Sequence, residues 1–330
     1  MTDELSPAPP AAPATSLRER VNAYARLAKL DIVDYYFGLA VVWSLLPAAA
    51  WFDPRTIAVL ALFLVGEVLL VAAMTAFDDV TGYRDGSDAV NYGPNAPLRR
   101  LVRKPLLAGT LTQAQAVRFG WLSAAATIVV WGGAVALAPR QPLWAVAVMA
   151  LCLFCSVQYS WGLRISYRGA QELFLIGLGV GLVTAPYGLL AGGLDGFVLA
   201  QAVIFGFGPL LFGVFSNTND IEGDARVGRP TVAVLAARAG KNGRNAAFIA
   251  AVCAAETCVI WGAAAVGVAP LWFPLIMAPV TALRVGQLLI GFRSGDILRA
   301  RNLGIRTHRV SVVLLIAANL TATLLPGAAA

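Results

Sequence analysis

Nine apolar stretches dominate this sequence, near 33–51, 57–77, 117–137, 142–162, 171–191, 197–216, 246–267, 270–291 and 310–326. A hydrocarbon core about 30 Å thick is crossed by about 20 helical residues, and only helices or closed barrels satisfy every backbone amide inside it. Uninterrupted runs of this length predict helices. The expected fold class is therefore all-α, an integral membrane bundle of nine transmembrane helices. Composition agrees, since charged residues make up only 13% of the chain where a soluble domain carries about 25%.

The basic residues orient the bundle. With the N-terminus cytoplasmic, 23 of the 25 Lys and Arg fall on the inner side, and only Arg55 and Arg140 lie outside. Cytoplasmic segments are enriched in Lys and Arg, so this segregation predicts a multi-pass protein of the cell membrane, N-terminus in and C-terminus out. The net charge of +7 is then explained by topology and anionic headgroups and gives no reason to invoke nucleic acid. Three inner segments are long (78–116, 217–245 and 292–309), the outer ones short. Long polar connections tend to carry function, which puts the working face in the cytoplasm. Residues 1–16 are rich in Pro and Ala with no apolar h-region, and predict a disordered tail rather than a signal peptide. Residues 17–330 predict one domain. Cys152, Cys155, Cys253 and Cys258 lie inside apolar runs and read as small hydrophobes.

Acidic residues are scarce and clustered. Asp78, Asp79, Asp85 and Asp88 follow the second run in FDDVTGYRDGSD, and Asp220, Glu222 and Asp224 follow the sixth in SNTNDIEGD; together they are seven of the 18 acids. Asn217, Asp220 and Asp224 fall at i, i+3 and i+7, one helical stripe. Like charges stacked in this way repel unless a cation intervenes. Mg²⁺ takes one or two carboxylates and completes its shell with water and substrate phosphate. Two such clusters facing one cavity would hold a diphosphate through Mg²⁺, with Asp78, Asp79, Asp85, Asp88, Asn217, Asp220 and Asp224 as candidate ligands. The competing reading is that the acids merely cap helix ends. Arg84, Arg103, Lys104 and Arg229 stand beside the acids and offer phosphate contacts, whereas Arg99 and Arg100 serve equally well as topological anchors. Glu67 and Glu256 fall at apparent membrane depth, where ionisable groups are usually functional or paired. Glu67 precedes Asp78 by three turns, near the same face. Asp31 and Asp34 suit the dipole at a helix start, and His308 reads as solvated.

These motifs resemble the UbiA superfamily of intramembrane prenyltransferases, which have nine transmembrane helices and Asp-rich motifs after helices 2 and 6. Lys104 to Thr112 (KPLLAGTLT) is similar to the run that follows the family's first motif, and Gly228-Arg229-Pro230-Thr231 to the one that follows its second. A third match is YSWGLRISYRGAQE, with Tyr159, Arg164, Gly169 and Glu172. The first motif departs from the pattern: Asp78-Asp79 replaces Asn-Asp, and Gly82 stands where an Asp is expected. The GSD of 86–88 and the stretch 217–220 lean toward the 1,4-dihydroxy-2-naphthoate prenyltransferase branch. The resemblance implies diphosphate departure assisted by Mg²⁺, with Tyr159 and Arg164 at the diphosphate. It further implies capture of the allylic cation by an aromatic or quinone-precursor acceptor. A terpene cyclase of the same superfamily, acting on a prenyl diphosphate alone, fits the motifs too. A CDP-alcohol phosphotransferase does not, because the Asp pattern it needs after Asp224 is absent. A secondary transporter would place its carboxylates at the bilayer midplane. Prenyl length, acceptor and oligomeric state stay open.

Overall fold

A computed structural model describes residues 16–92, 101–240 and 242–324. Its helices are α1 (Leu17–Leu27), α2 (Gly38–Leu45), α3 (Pro54–Asp85), α4 (Ser87–Tyr92), α5 (Gln113–Leu137), α6 (Leu143–Gln158), α7 (Gln171–Ala191), α8 (Gly196–Asn219), α9 (Ile221–Arg226), α10 (Val232–Arg238), α11 (Asn242–Ala265), α12 (Phe273–Leu288) and α13 (Ile297–Leu324). There is no strand among the described residues, so the chain is all-helical. Seven helices are long and apolar enough to cross a bilayer: α3, α5, α7, α8, α11, α12 with its π-helical extension to Arg293, and α13. The protein is a multi-pass membrane bundle.

All nine expected stretches are helical, but two fall short of the seven. Val33–Leu45 and Leu143–Gln158 are apolar yet shorter. The first stops ahead of Pro47, which forces the residue before it, Leu46, into an extended backbone (ψ 153°). Asp53 then caps the Thr56 amide, and Pro54 opens α3 at the position where a missing N–H is harmless.

The bundle packs α3 against α5, α7 against α8, and α13 against both α8 and α12. One large apolar core joins α3, α6, α7 and α8, and a second joins α2, α8, α12 and α13. At Gly179 and Gly206 the backbones of α7 and α8 come too close for a side chain: a Cβ on Gly179 would lie 2.6 Å from the Gly206 Cα.

Several expectations change. The expected inner loop 292–309 is mostly helix, because α13 already begins at Ile297. Arg284, counted among the 23 inner-side basic residues, is 2% exposed inside α12, where it pairs with Glu256 and donates to Gln287. His308 is not solvated either. It is 1% exposed, its ring lies against Phe205 and Phe212, and its Nε2 meets the Asp34 carbonyl. Asp34 does lie in the first turn of a short 3-10 helix, Val33–Tyr35, and its carboxylate also accepts from Arg309. At the N-terminus, Ser16 forms a capping box with Glu19 and so belongs to α1. Residues 1–15 lie outside the described residues, as do Arg99 and Arg100.

Candidate functional site

The expected loop clusters prove to sit on helices. At about 1.5 Å per residue, α3 is about 48 Å long, well beyond the hydrocarbon core. Its last three turns carry Asp78, Asp79 and Asp85. Gly86 then takes φ +82°, a left-handed helix stop that suits glycine, and the chain folds back into α4. This turn brings the Asp88 carboxylate against Gly82, where an added Cβ would lie 2.8 Å from the Asp88 Cγ. A glycine at 82, the odd residue of the first motif, is what makes room for Asp88.

The second cluster spans two helices. The stripe expected from its spacing breaks at Asp220, which ends α8 with a backbone at φ −101°, ψ 10° before α9 begins. Asn217 stays on α8 and Asp224 rides on α9, both buried. Contact between α4 and α9 closes the gap between the clusters, with Gly223 packed onto Asn91.

Between them lies a polar cavity of about 110 Å³, lined by Asp78, Asp88, Asn217, Asp220, Asp224, Lys104 and Arg229 among others. Arg229 joins the two clusters directly. Its Nη2 lies 3.3 Å from Asp78 Oδ1 and its Nη1 3.7 Å from Asp224 Oδ1. Lys104 spans the first cluster, with Nζ 2.7 Å from Asp88 Oδ1 and 2.8 Å from Asp79 Oδ1. Burial opposes the charge on Lys104, yet Asp79, Asp88 and Asp78 hold its pKa well above the ordinary lysine value. Burial likewise opposes the charge on Arg229, but Asp78 leads the groups that raise its pKa. Burial pushes the Asp88 carboxyl up to about 6; Lys104 opposes this and Asp79 adds to it.

The remaining expected residues divide. Asp79 is fully buried and does not line the cavity; it is held by Lys104 and by Lys29, whose Nζ lies 3.0 Å from Oδ2. Asp85 lies in a neighbouring open pocket with Arg84 and Arg164, accepting from the Tyr167 hydroxyl. Arg164 is 3.7 Å from Asp85 and Arg84 stacks over Trp161, so both sit beside the cavity rather than in it. Arg103 pairs with Asp31 at the surface, away from the cavity lining. Tyr159 is buried against Phe174.

Four supporting groups were not singled out in the sequence. Ser160 donates to Asp78 at 2.6 Å. Tyr167 lies under two guanidiniums, with Arg164 at 3.8 Å and Arg229 at 4.5 Å from its ring centre. Burial raises its phenol to about 12. Gln171 donates to the Asn217 carbonyl at 2.8 Å, and the Asn217 amide donates to Glu172. Ser160, Tyr167 and Gln171 all fall inside the YSWGLRISYRGAQE segment, so that segment was their signal. Lys29 had none, because it lies 50 residues from its partner Asp79.

The donor set suits a hard divalent cation: four carboxylates and the amides of Asn91 and Asn217 against two cationic side chains. Among the described residues no three His, Cys, Asp or Glu side chains are grouped so as to hold a metal ion by themselves. Mg²⁺ held in part by substrate phosphate needs no such group.

Residues 37–304 match the model of the UbiA prenyltransferase family. The chain belongs to that family. No curated protein matches it in sequence. Among solved structures it is similar to a UbiA homolog from Archaeoglobus fulgidus bound to DMAPP and Mg²⁺, with 14% identity, a TM-score of 0.65, and coverage of 92% of this chain and 99% of that one. It is similar also to an apo UbiA homolog from Aeropyrum pernix K1, with 17% identity, a TM-score of 0.61, and coverage of 90% and 99%. A digeranylgeranylglyceryl phosphate synthase gives 12% identity, a TM-score of 0.62, and coverage of 92% and 99%. At these identities the likeness is one of fold, and the UbiA fold runs through nearly the whole chain.

Proposed function

We propose that this protein is an Mg²⁺-dependent prenyltransferase that ionises a prenyl diphosphate in the cavity between its acidic clusters. The prenyl group then passes to an aromatic or quinone-precursor acceptor. One observation carries the reading: carboxylates from both clusters share one small polar cavity with Lys104 and Arg229. Four carboxylates against two cations leave that lining net negative, so a diphosphate enters only together with divalent cations. The A. fulgidus homolog of the same fold, bound to DMAPP and Mg²⁺, supports the pairing.

In this reading Asp78, Asp88, Asn217, Asp220 and Asp224 hold the cations. When bound, Mg²⁺ supplies the positive charge that stabilises a departing diphosphate. Lys104 and Arg229 place fixed cationic donors at the same point, and their carboxylate partners keep both charged and aimed. Tyr167 fixes Arg229 and Arg164 from beneath, and Gln171 with Glu172 sets the Asn217 amide. Residues 17–330 act as one domain, spanning the cell membrane nine times with the cavity on the cytoplasmic side.

The test is product analysis with prenyl diphosphates, with and without an aromatic acceptor. Prenylated acceptor is expected; a cyclic terpene formed without acceptor would replace transfer by cyclisation. Asp220→Ala or Asp224→Ala should lower turnover about a hundredfold, the upper end of the about 10–100-fold that loss of an outer-shell partner of a metal ligand costs, and chelation should abolish it until Mg²⁺ is restored. Unchanged turnover in both variants would overturn the site.

A further inference from the structure

Eleven residues before Asp78, α3 carries Glu67, fully buried in the middle of the bundle. Neither of its carboxylate oxygens has a hydrogen-bond partner. The buried hydroxyl of Tyr36 is likewise unpartnered, and the two groups lie within electrostatic reach of each other. Buried polar side chains nearly always have partners, so two unpartnered neighbours in one apolar core call for an explanation. Eleven residues correspond to about 16 Å along the helix and fall within about 20° of three full turns. Glu67 therefore lies beneath the cavity, on nearly the face that Asp78 presents to it. Between the two, Leu70, Val71 and Met74 bring apolar side chains to the same core, facing Phe174, Leu178 and Leu211. The order along this line is polar cavity, hydrocarbon, then a carboxyl and a phenol.

We propose that Glu67 and Tyr36 form the far wall of the prenyl channel and limit the substrate to about three isoprene units. The inference rests on the prenyl diphosphate reading above. An extended chain advances about 1.2 Å per bond, so an isoprene unit, with four bonds along the chain, advances about 5 Å. Three units reach from the diphosphate to Glu67; a fourth presses a hydrocarbon end onto the carboxyl and the phenol. A water or a hydroxyl satisfies such groups, whereas a methyl group cannot, and stranding a buried polar group lowers binding by about tenfold or more. Glu67 and Tyr36 thus act as specificity-determining residues, remote from the bond that breaks.

The experiment measures kcat/KM for diphosphate release from C10, C15 and C20 prenyl diphosphates by the full-length protein in membranes, with Mg²⁺ and the aromatic acceptor that the product analysis above yields. The wild type should favour C15 over C20 by about tenfold. Glu67→Leu should erase that preference, raising the C20/C15 ratio about tenfold, and Tyr36→Phe should raise it in part. Glu67→Gln, still polar, should keep the wild-type ratio. A packing defect would instead lower all three lengths together, leaving the ratio unchanged. If Glu67→Leu does not fold, Glu67→Met carries the same comparison. A wild type active on all three lengths, with the same ratio in Glu67→Leu or Glu67→Met, overturns this inference alone. A wild type inert toward every length overturns the prenyl diphosphate reading and this one with it.

Discussion

Two adjacent aspartates, 78 and 79, have unequal tasks. Asp78 lines the cavity, steadied by Ser160 and Arg229, while Asp79 is sealed between Lys29 and Lys104. Removing Asp79 leaves the buried Lys104 with Asp88 as its remaining ion-pair partner. Breaking a buried pair costs about 3–5 kcal/mol, so Asp79→Ala should unfold at a markedly lower temperature, read by thermal melting in detergent. Asp220→Ala should melt near the wild-type temperature while losing turnover. Arg103 gives the opposite contrast: its pair with Asp31 is exposed, at 45% and 62%. Such pairs contribute at most about 1 kcal/mol, and Arg103→Ala should retain turnover and stability. Equal damage from Asp79→Ala and Arg103→Ala would refute this division. Sequence spacing alone made the seven acidic and amide candidates equivalent, and the basic residues beside them nearly so. What separates Asp79 from Asp78, or Arg103 from Lys104, is which way each side chain leaves its backbone, and that depends on partners far along the chain.

At the scale of elements, the first cluster rides on a helix longer than a bilayer needs. Helix α3 has 32 residues and α13 has 28, about 48 and 42 Å of rise against a core of about 30 Å. The excess of α3 carries the acids. The excess of α13 carries Arg299, Arg301 and Arg306, which the sequence had suggested were in a loop. Apolar runs mark where lipid begins and ends, but a helix whose backbone is already paired has no reason to stop at that boundary, so helix ends were the least legible feature. The turn at Gly86 was equally hidden, since nothing local shows that α4 folds back onto α3. It yields a sharp prediction at Gly82. Gly82→Ala puts a Cβ 2.8 Å from the Asp88 Cγ and must displace that carboxylate from Lys104 and the cavity. Turnover should fall about tenfold or more, in keeping with a disturbed metal site, and raised Mg²⁺ should recover part of it. Wild-type Mg²⁺ dependence in Gly82→Ala would show that Asp88 takes no part.

For the whole molecule, the membrane topology joins these observations, and it turns on two short helices. Val33–Leu45 and Leu143–Gln158 have 13 and 16 residues, about 20 and 24 Å of rise against a core of about 30 Å. If both cross, the spans number nine and the termini lie on opposite sides; if either stays within one leaflet, the parity changes. The distribution of charge favours crossing. Arg55 and Arg140, the two basic residues left outside, lie at one end of the bundle, where Arg55 donates to the carbonyls of Leu137 and Ala138. The acidic clusters, Lys29, Lys104 and Arg229 gather at the other end. Were α6 to stay in one leaflet, Arg164 and Arg168 would share a membrane face with Arg140, against the segregation of basic charge. Short helices are accommodated by local bilayer thinning and by flanking residues that reach the interface, at modest cost per ångström. Topology reporters at both termini should therefore read cytoplasmic for the N-terminus and external for the C-terminus. Single cysteines introduced at Gln141 and at Leu163, exposed positions on either side of α6, in a background lacking the four native ones, should be labelled from opposite faces by an impermeant thiol reagent. Labelling of both from one face would remove α6 from the set of spans and leave the cavity's cytoplasmic placement without its support.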